Sequence, residues 1–145
     1  MSRKYLFIFY FIFCMSSPAL GGQRDGVTLP DTIALGQSNL TLNGMGTRTF
    51  TFFSVYVAGL YLAAPSTNAQ AILAADAPRV MTMHFLREVP AAKIAEAWRA
   101  GLADNTPGAD AALKERFDAL AAMMETMASG QTLECAYDPA AGTTV

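Results

Sequence analysis

Arg48 and Tyr56 are the residues of this chain whose types could do chemistry together. They lie in "GTRTFTFFSVYVAGLYL", residues 46–62, a stretch dense in aromatic and β-branched residues that reads as one long strand. Alternate strand residues share a face, and Arg48, Phe50, Phe52, Ser54 and Tyr56 have one parity. An arginine aimed at an apolar face needs an anion there, because an unpaired buried charge is costly. The anion is a carboxylate, of the protein or of a ligand, which a guanidinium can hold with two parallel hydrogen bonds. Eight residues at ~3.3 Å each put the two groups about 26 Å apart on a straight strand. They can meet only if the chain turns or bulges around "TFTFF". Without such a turn Arg48 is a rim residue and Tyr56 a core residue, and the residues alone favour that plainer reading.

Other candidates for chemistry are weaker. No P-loop, GxGxxG, GxSxG or CxxC pattern is present, so no cofactor is expected. His84, the one histidine, has a proton affinity suited to a general base. In the strand-like "MTMHFL" it reads rather as a partly buried, hydrogen-bonded side chain. Glu88 and Glu96 read as a solvated helix face. Met123, Met124 and Met127 fit a core better than a promiscuous apolar pocket. One histidine and no cysteine cluster argue against a zinc site.

The elements that must position Arg48 and Tyr56 follow from the patterning. The chain has 145 residues and a formal charge of −2, which suggests one domain. "MSRK", then the apolar "YLFIFYFIFCM", then "SSPALGG" follow the basic, apolar, small order of a signal peptide cut near Gly21 or Gly22. The apolar run is too short for an ordinary transmembrane helix. A lipoprotein reading of Cys14 is weaker, because Phe13 precedes it. Residues 1–21 are therefore expected to be removed and residues 22–145 to form the domain, periplasmic or secreted. Loss of Arg3 and Lys4 leaves the domain at −4. With no basic patch, nucleic acid is not an expected partner. Cys135 alone survives cleavage, so stability must come from packing and not from an internal disulfide.

Along the domain, "GGQRDGVTLPDTI" reads as a polar lead-in and "TIALGQSNLTLNG" as a hairpin turning at Gly36–Asn39. "STNAQAILAAD" suits a short helix capped by Thr67 or Asn68, and "RVMTMHFLR" a strand. "VPAAKIAEAWRAGLADN" carries Ile94, Trp98 and Leu102 on one helical face, with Pro90 in its first turn. "ADAALKERFDALAAMMETMASG" carries Leu113, Phe117, Leu120, Met124 and Met127 on one stripe, stopping at Gly130. "QTLECAYDP" returns to alternation, and "AGTTV" opens a further strand. Strands, two helices, then strands predict an α+β fold with an antiparallel sheet and helices on one face. A hairpin cut at its first strand at Val145 would leave an unpaired edge, so a C-terminally incomplete domain is expected.

"LNGMGTRTFTFFSVYVAGLYL", "MTMHFLREVPAAKIAEAWRAGL" and "YDPAAGTTV" resemble the bacterial chalcone isomerase-like proteins. These are relatives of plant chalcone isomerase and of the plant fatty-acid-binding proteins of the same fold. The resemblance runs from Val27 to Val145. It implies an open-faced β-sandwich: an antiparallel sheet with helices over one face, a ligand cleft between them, and a strand and helical segment beyond "GTTV". In the fatty-acid-binding branch an arginine and a tyrosine in a G-x-R … V-Y pattern hold the ligand carboxylate. That pattern falls on Arg48 and Tyr56, with a shorter spacer here. Chalcone isomerases pair an arginine and a threonine on these strands with a tyrosine and an asparagine at the following helix. The arginine falls on Arg48, but Tyr56 occupies the threonine position, and residues 87–104 hold neither tyrosine nor asparagine.

The resemblance therefore implies a non-catalytic binder of a fatty acid or similar apolar carboxylate. Arg48 would pair with the carboxylate and Tyr56 would donate to it. Phe50, Phe52 and the helix methionines would wall the tail. An isomerase of the intramolecular lyase type is the alternative. A partner-binding domain with no small ligand is a third.

Overall fold

The computed structural model describes residues 21–145; the expected signal peptide thus lies, apart from Gly21, outside the described residues. Eleven elements follow in chain order. β1 (Gly22–Arg24) and β2 (Val27–Leu29) form a small hairpin. β3 (Thr32–Leu35), β4 (Ser38–Phe50) and β5 (Phe53–Leu62) come next, then α1 (Ala69–Ala74) and β6 (Arg79–Phe85). The helices α2 (Ala91–Asn105) and α3 (Ala111–Ala122) precede β7 (Thr132–Asp138) and β8 (Gly142–Thr144). Strands β3 to β8 make one six-stranded sheet in sequence order, every pair antiparallel. This is the α+β architecture the patterning predicts.

The sheet has two unlike faces. On one, Leu40, Val57, Tyr61 and Val80 are buried with Val27 and Leu29 of the small hairpin. Burying such side chains is the main favourable term in folding. Gly59 lets the hairpin approach: a Cβ there would lie 2.4 Å from Leu29 Cδ1. Tyr61 is 1 % exposed and its hydroxyl donates to Pro30 O at 2.9 Å, so the buried phenol keeps a partner. Burial, then the charges of Glu134 and Asp31, push its pKa up.

The lead-in read as irregular is therefore β1–β2, a cover for the core. Its turn is Asp25–Gly26, at φ 47° and 79°, a conformation that Asp-Gly favours. The next turn is Gly36–Gln37, with Gly36 at φ 57°. Ser38 and Asn39, expected in the turn, already pair with Leu35 and Ala34.

The long strand of residues 46–62 is corrected more deeply. It is two strands, with Phe50 opposite Phe53 across a tight turn of Thr51 and Phe52. Thr51 sits at φ 52°, unusual for a β-branched residue, and its hydroxyl donates to Phe50 O at 2.7 Å. No glycine or asparagine marks this turn in the sequence.

The helices follow the expected stripes, with one early stop. Asn68 caps α1, its side chain accepting from Ala71 N. Arg79 donates to Ile72 O and Ala75 O at the other end of that helix. α2 and α3 meet through Trp98 and Phe117, with ring centroids 6.4 Å apart, and through an Arg99–Asp118 ion pair at 2.7 Å. α3 ends at Ala122 and not near Gly130. Beyond it Met127 pairs with Val89 as an isolated antiparallel bridge, two backbone bonds of 2.8 and 3.0 Å. The helical period of the methionines gives way to pairing with the segment that enters α2.

Candidate functional site

The turn at Thr51–Phe52 folds β4 back on β5 and makes Arg48 and Tyr56 register partners. Directly opposite residues of an antiparallel pair lie about 5 Å apart at Cα and share a face. The separation of about 26 Å expected of a straight strand collapses to contact range. Phe85 of β6 is the next partner in the row, its ring centroid 5.6 Å from that of Tyr56. Arg48, Tyr56 and Phe85 thus stand side by side across three strands.

They lie on the face opposite the Tyr61 core. The rows beside them are Gly46, Ala58, Met83 and Leu133, then Gly44, Leu60, Met81 and Cys135. Asn43 is the extra residue of a bulge, and its side-chain oxygen accepts from Ser66 N at 2.7 Å. Gly44 and Gly46 give this face a low floor. A Cβ at either would meet no atom within 4 Å. The result is a shallow apolar trough with a cation and a phenol at one end, open above the glycines. Met81 remains 38 % exposed in it. Burial raises the Cys135 thiol above its ordinary pKa, so it stays a neutral, inert lining group at neutral pH.

Arg48 is exposed and Tyr56 half-buried. The ion pairs formed among the described residues are Lys93–Glu96 and Arg99–Asp118, and neither involves Arg48. Being exposed, Arg48 is solvated and forms no ion pair with a carboxylate of the described residues.

The expected tail walls are corrected. Phe50 and Phe52 are 68 % and 97 % exposed at the hairpin tip, so they face solvent. Met123 is 71 % exposed, Met124 accepts a hydrogen bond from Trp98 Nε1 at 3.3 Å, and Met127 belongs to the bridge with Val89. Met81 and Met83, on β6, are the methionines of the trough. Two half-open hollows lie elsewhere. One of about 380 Å³ sits at the α2–α3 end, against Leu102, Phe117 and the Arg99–Asp118 pair. One of about 170 Å³ sits under α1.

The remaining candidates are accounted for. His84 is half-buried with Nδ1 3.2 Å from Thr132 Oγ1, the hydrogen-bonded strand histidine expected. Glu88 and Glu96 are exposed. The Lys93 hydrogen bond lowers the pKa of Glu96, and the lysine charge adds to that. Asn105, one residue past the stretch searched for an isomerase amide, ends α2 and donates to Gly101 O at 2.8 Å. It stands 14 residues from the start of α2, roughly 21 Å along the axis. No group of metal-binding side chains occurs among the described residues, and none of their helices is long and apolar enough to cross a membrane.

This sheet and its helices define a chalcone isomerase-like protein: residues 22–145 match that family, and the chain belongs to it. Among solved structures it is similar to a fatty-acid binding protein of Arabidopsis thaliana, at 16 % identity and a TM-score of 0.61. The match covers 79 % of this chain and 70 % of that one, and at that identity it speaks for the fold. A search of curated protein sequences gave no match.

Proposed function

We propose that the protein is a non-catalytic binder of an apolar carboxylic acid of the fatty-acid class. The observation that carries this reading is the pairing of Arg48 with Tyr56 at the head of an open apolar trough. The guanidinium takes the carboxylate through two hydrogen bonds, and the Tyr56 hydroxyl donates to the same group. The tail lies over Gly46 and Gly44, against Ala58, Leu60, Met81 and Met83. The trough is apolar with two convergent polar groups, the usual make-up of a small-molecule site. An isomerase would need further groups to stabilise charge on a reacting phenolate, and Asn105 is already committed to its own helix.

The same reading takes residues 1–21 as a signal peptide and places the domain in the periplasm or outside the cell. Its support is the basic, apolar, small order of the segment, and N-terminal sequencing of the exported protein tests it.

The ligand reading is tested by mass spectrometry of organic extracts from the full chain and from Arg48→Ala. Fatty acids carried by the first and lost from the second are the expected outcome. Equal lipid in both, or none in either, overturns it. Turnover of a chalcone, followed by absorbance, would establish the isomerase in its place.

A further inference from the structure

The hairpin that carries Arg48 also carries the largest exposed aromatic group among the described residues. Phe52 is 97 % exposed, Phe50 68 % and Phe53 53 %. All three lie at the β4–β5 turn. The ladder of β5 with β6 ends at Tyr56, and beyond it only Leu86, whose N donates to Val55 O at 2.9 Å, and Arg87 flank the hairpin, so the turn residues form an exposed corner of the sheet. Apolar groups clustered on such a corner mark a contact site, and their shape selects the occupant. A convex tip buries little against a flat, rigid protein surface. A bilayer yields around it and takes aromatic side chains at the depth of the headgroups.

Charge agrees with that choice. Arg48 precedes the tip on β4, and Arg87 is fixed beside it. The Arg87 guanidinium lies 4.5 Å from the centre of the Phe53 ring, and its Nε donates to Ser54 O at 3.1 Å. Between Asp31 and Glu88 the sequence holds one acidic residue, Asp76. Asp76 accepts from the Tyr137 hydroxyl near Arg79, which pairs with Leu62 at the other end of β5. Of the acidic residues near the tip, Asp25 accepts a bond from Thr47, and Glu88 adjoins Arg87. The chain as a whole is negative, so a cationic aromatic tip is a local departure from its charge.

We propose that the β4–β5 tip, Phe50, Phe52 and Phe53 flanked by Arg48 and Arg87, docks the protein onto an anionic phospholipid surface. The aromatic rings enter the headgroup layer and the two guanidinium groups meet lipid phosphates. Docking shares Arg48 with the proposed ligand site, but it requires neither a carboxylate ligand nor the trough, and its test reads Phe52 and not Arg48.

The test uses the full chain carrying Phe52→Trp with Trp98→Phe, so that the indole at the tip is the sole reporter. Vesicles of phosphatidylcholine with and without phosphatidylglycerol are added, with bromine-labelled acyl chains as quencher. Expected are a blue shift and quenching with the anionic vesicles, weakened by salt as for exposed charges. In the otherwise native chain, Phe52→Ser should lower vesicle partitioning by roughly tenfold, the effect of losing one buried aromatic side chain. An indole that keeps its solvent-exposed emission while the protein co-sediments with vesicles overturns the proposal, since binding then lies elsewhere, as with residues 1–20. A blue shift without lipid that grows with protein concentration also overturns it, in favour of a second copy of the chain.

Discussion

Tyr56 and Tyr61 lie five residues apart on the same strand and look to opposite sides of the sheet. Tyr61 is sealed under β1–β2, its hydroxyl spent on Pro30 O. Tyr56 stands half-buried beside an exposed arginine. Glycines divide in the same way. Gly59 is packed against Leu29, while Gly46 faces open space. One face of the sheet is built for stability. The other, at its Arg48 end, carries a guanidinium and a phenol beside an apolar strip that leaves Met81 38 % exposed. A site of this kind is held in place by the face it does not use.

That contrast predicts which face answers to which measurement. The largest effect belongs to the sealed face. Leu40, fully buried, should cost about 2–5 kcal/mol of unfolding free energy when changed to alanine, read by chemical denaturation. Arg48→Ala should leave the denaturation midpoint where it is and weaken fatty-acid binding about 10- to 100-fold, the loss expected for a charge-assisted hydrogen bond. Titration calorimetry with a soluble fatty acid checks this. A large stability loss in Arg48→Ala would put the arginine on the structural side of the comparison.

The two glycines sharpen it. Gly59→Ala should destabilise by about 1–3 kcal/mol through overpacking. Gly46→Ala should stabilise by about 0.5 kcal/mol, since alanine loses less freedom on folding, while raising the floor of the trough and weakening binding. The phenols divide in the same way. Tyr61→Phe leaves Pro30 O without its partner and should cost about 1 kcal/mol. Tyr56→Phe should alter stability by less than about 0.5 kcal/mol and show itself in ligand affinity. Alkaline pH tests Tyr61 a second way. The raised pKa of Tyr61 means that the folded state holds its proton more tightly than the unfolded chain does. This contribution is complete below the ordinary tyrosine pKa of 10.0 and is lost as pH rises through the higher folded value. Tyr61→Phe should flatten that alkaline decline.

The fold was legible in the sequence wherever a local signal and the tertiary outcome agreed. The stripe of Ile94, Trp98 and Leu102 gave α2, and Asn68 gave the start of α1. The alternation of Leu133, Cys135 and Tyr137 gave β7. Asp25–Gly26 carried a hairpin signal that the polar setting masked. The end of α3 was not legible, because the methionine period continues while Val89, almost 40 residues earlier in the chain, takes Met127 into a bridge. The trough was not legible either. It depends on the register, which sets Gly46 and Ala58 beside Met83 and Leu133, and Gly44 beside Leu60, Met81 and Cys135.

By itself the sequence determined the class of the domain and its coarse run of strands, two helices and strands, and it singled out Arg48 and Tyr56 as the residues to locate. Period and composition act over a few residues, and those features are written at that range. Whether Arg48 and Tyr56 meet was decided by the tertiary structure alone. The decision rests on a turn at Thr51–Phe52 that carries no turn residue. It is closed by a threonine held at positive φ, because pairing β4 and β5 along their length, over a core covered by β1–β2, outweighs the local strain of one residue.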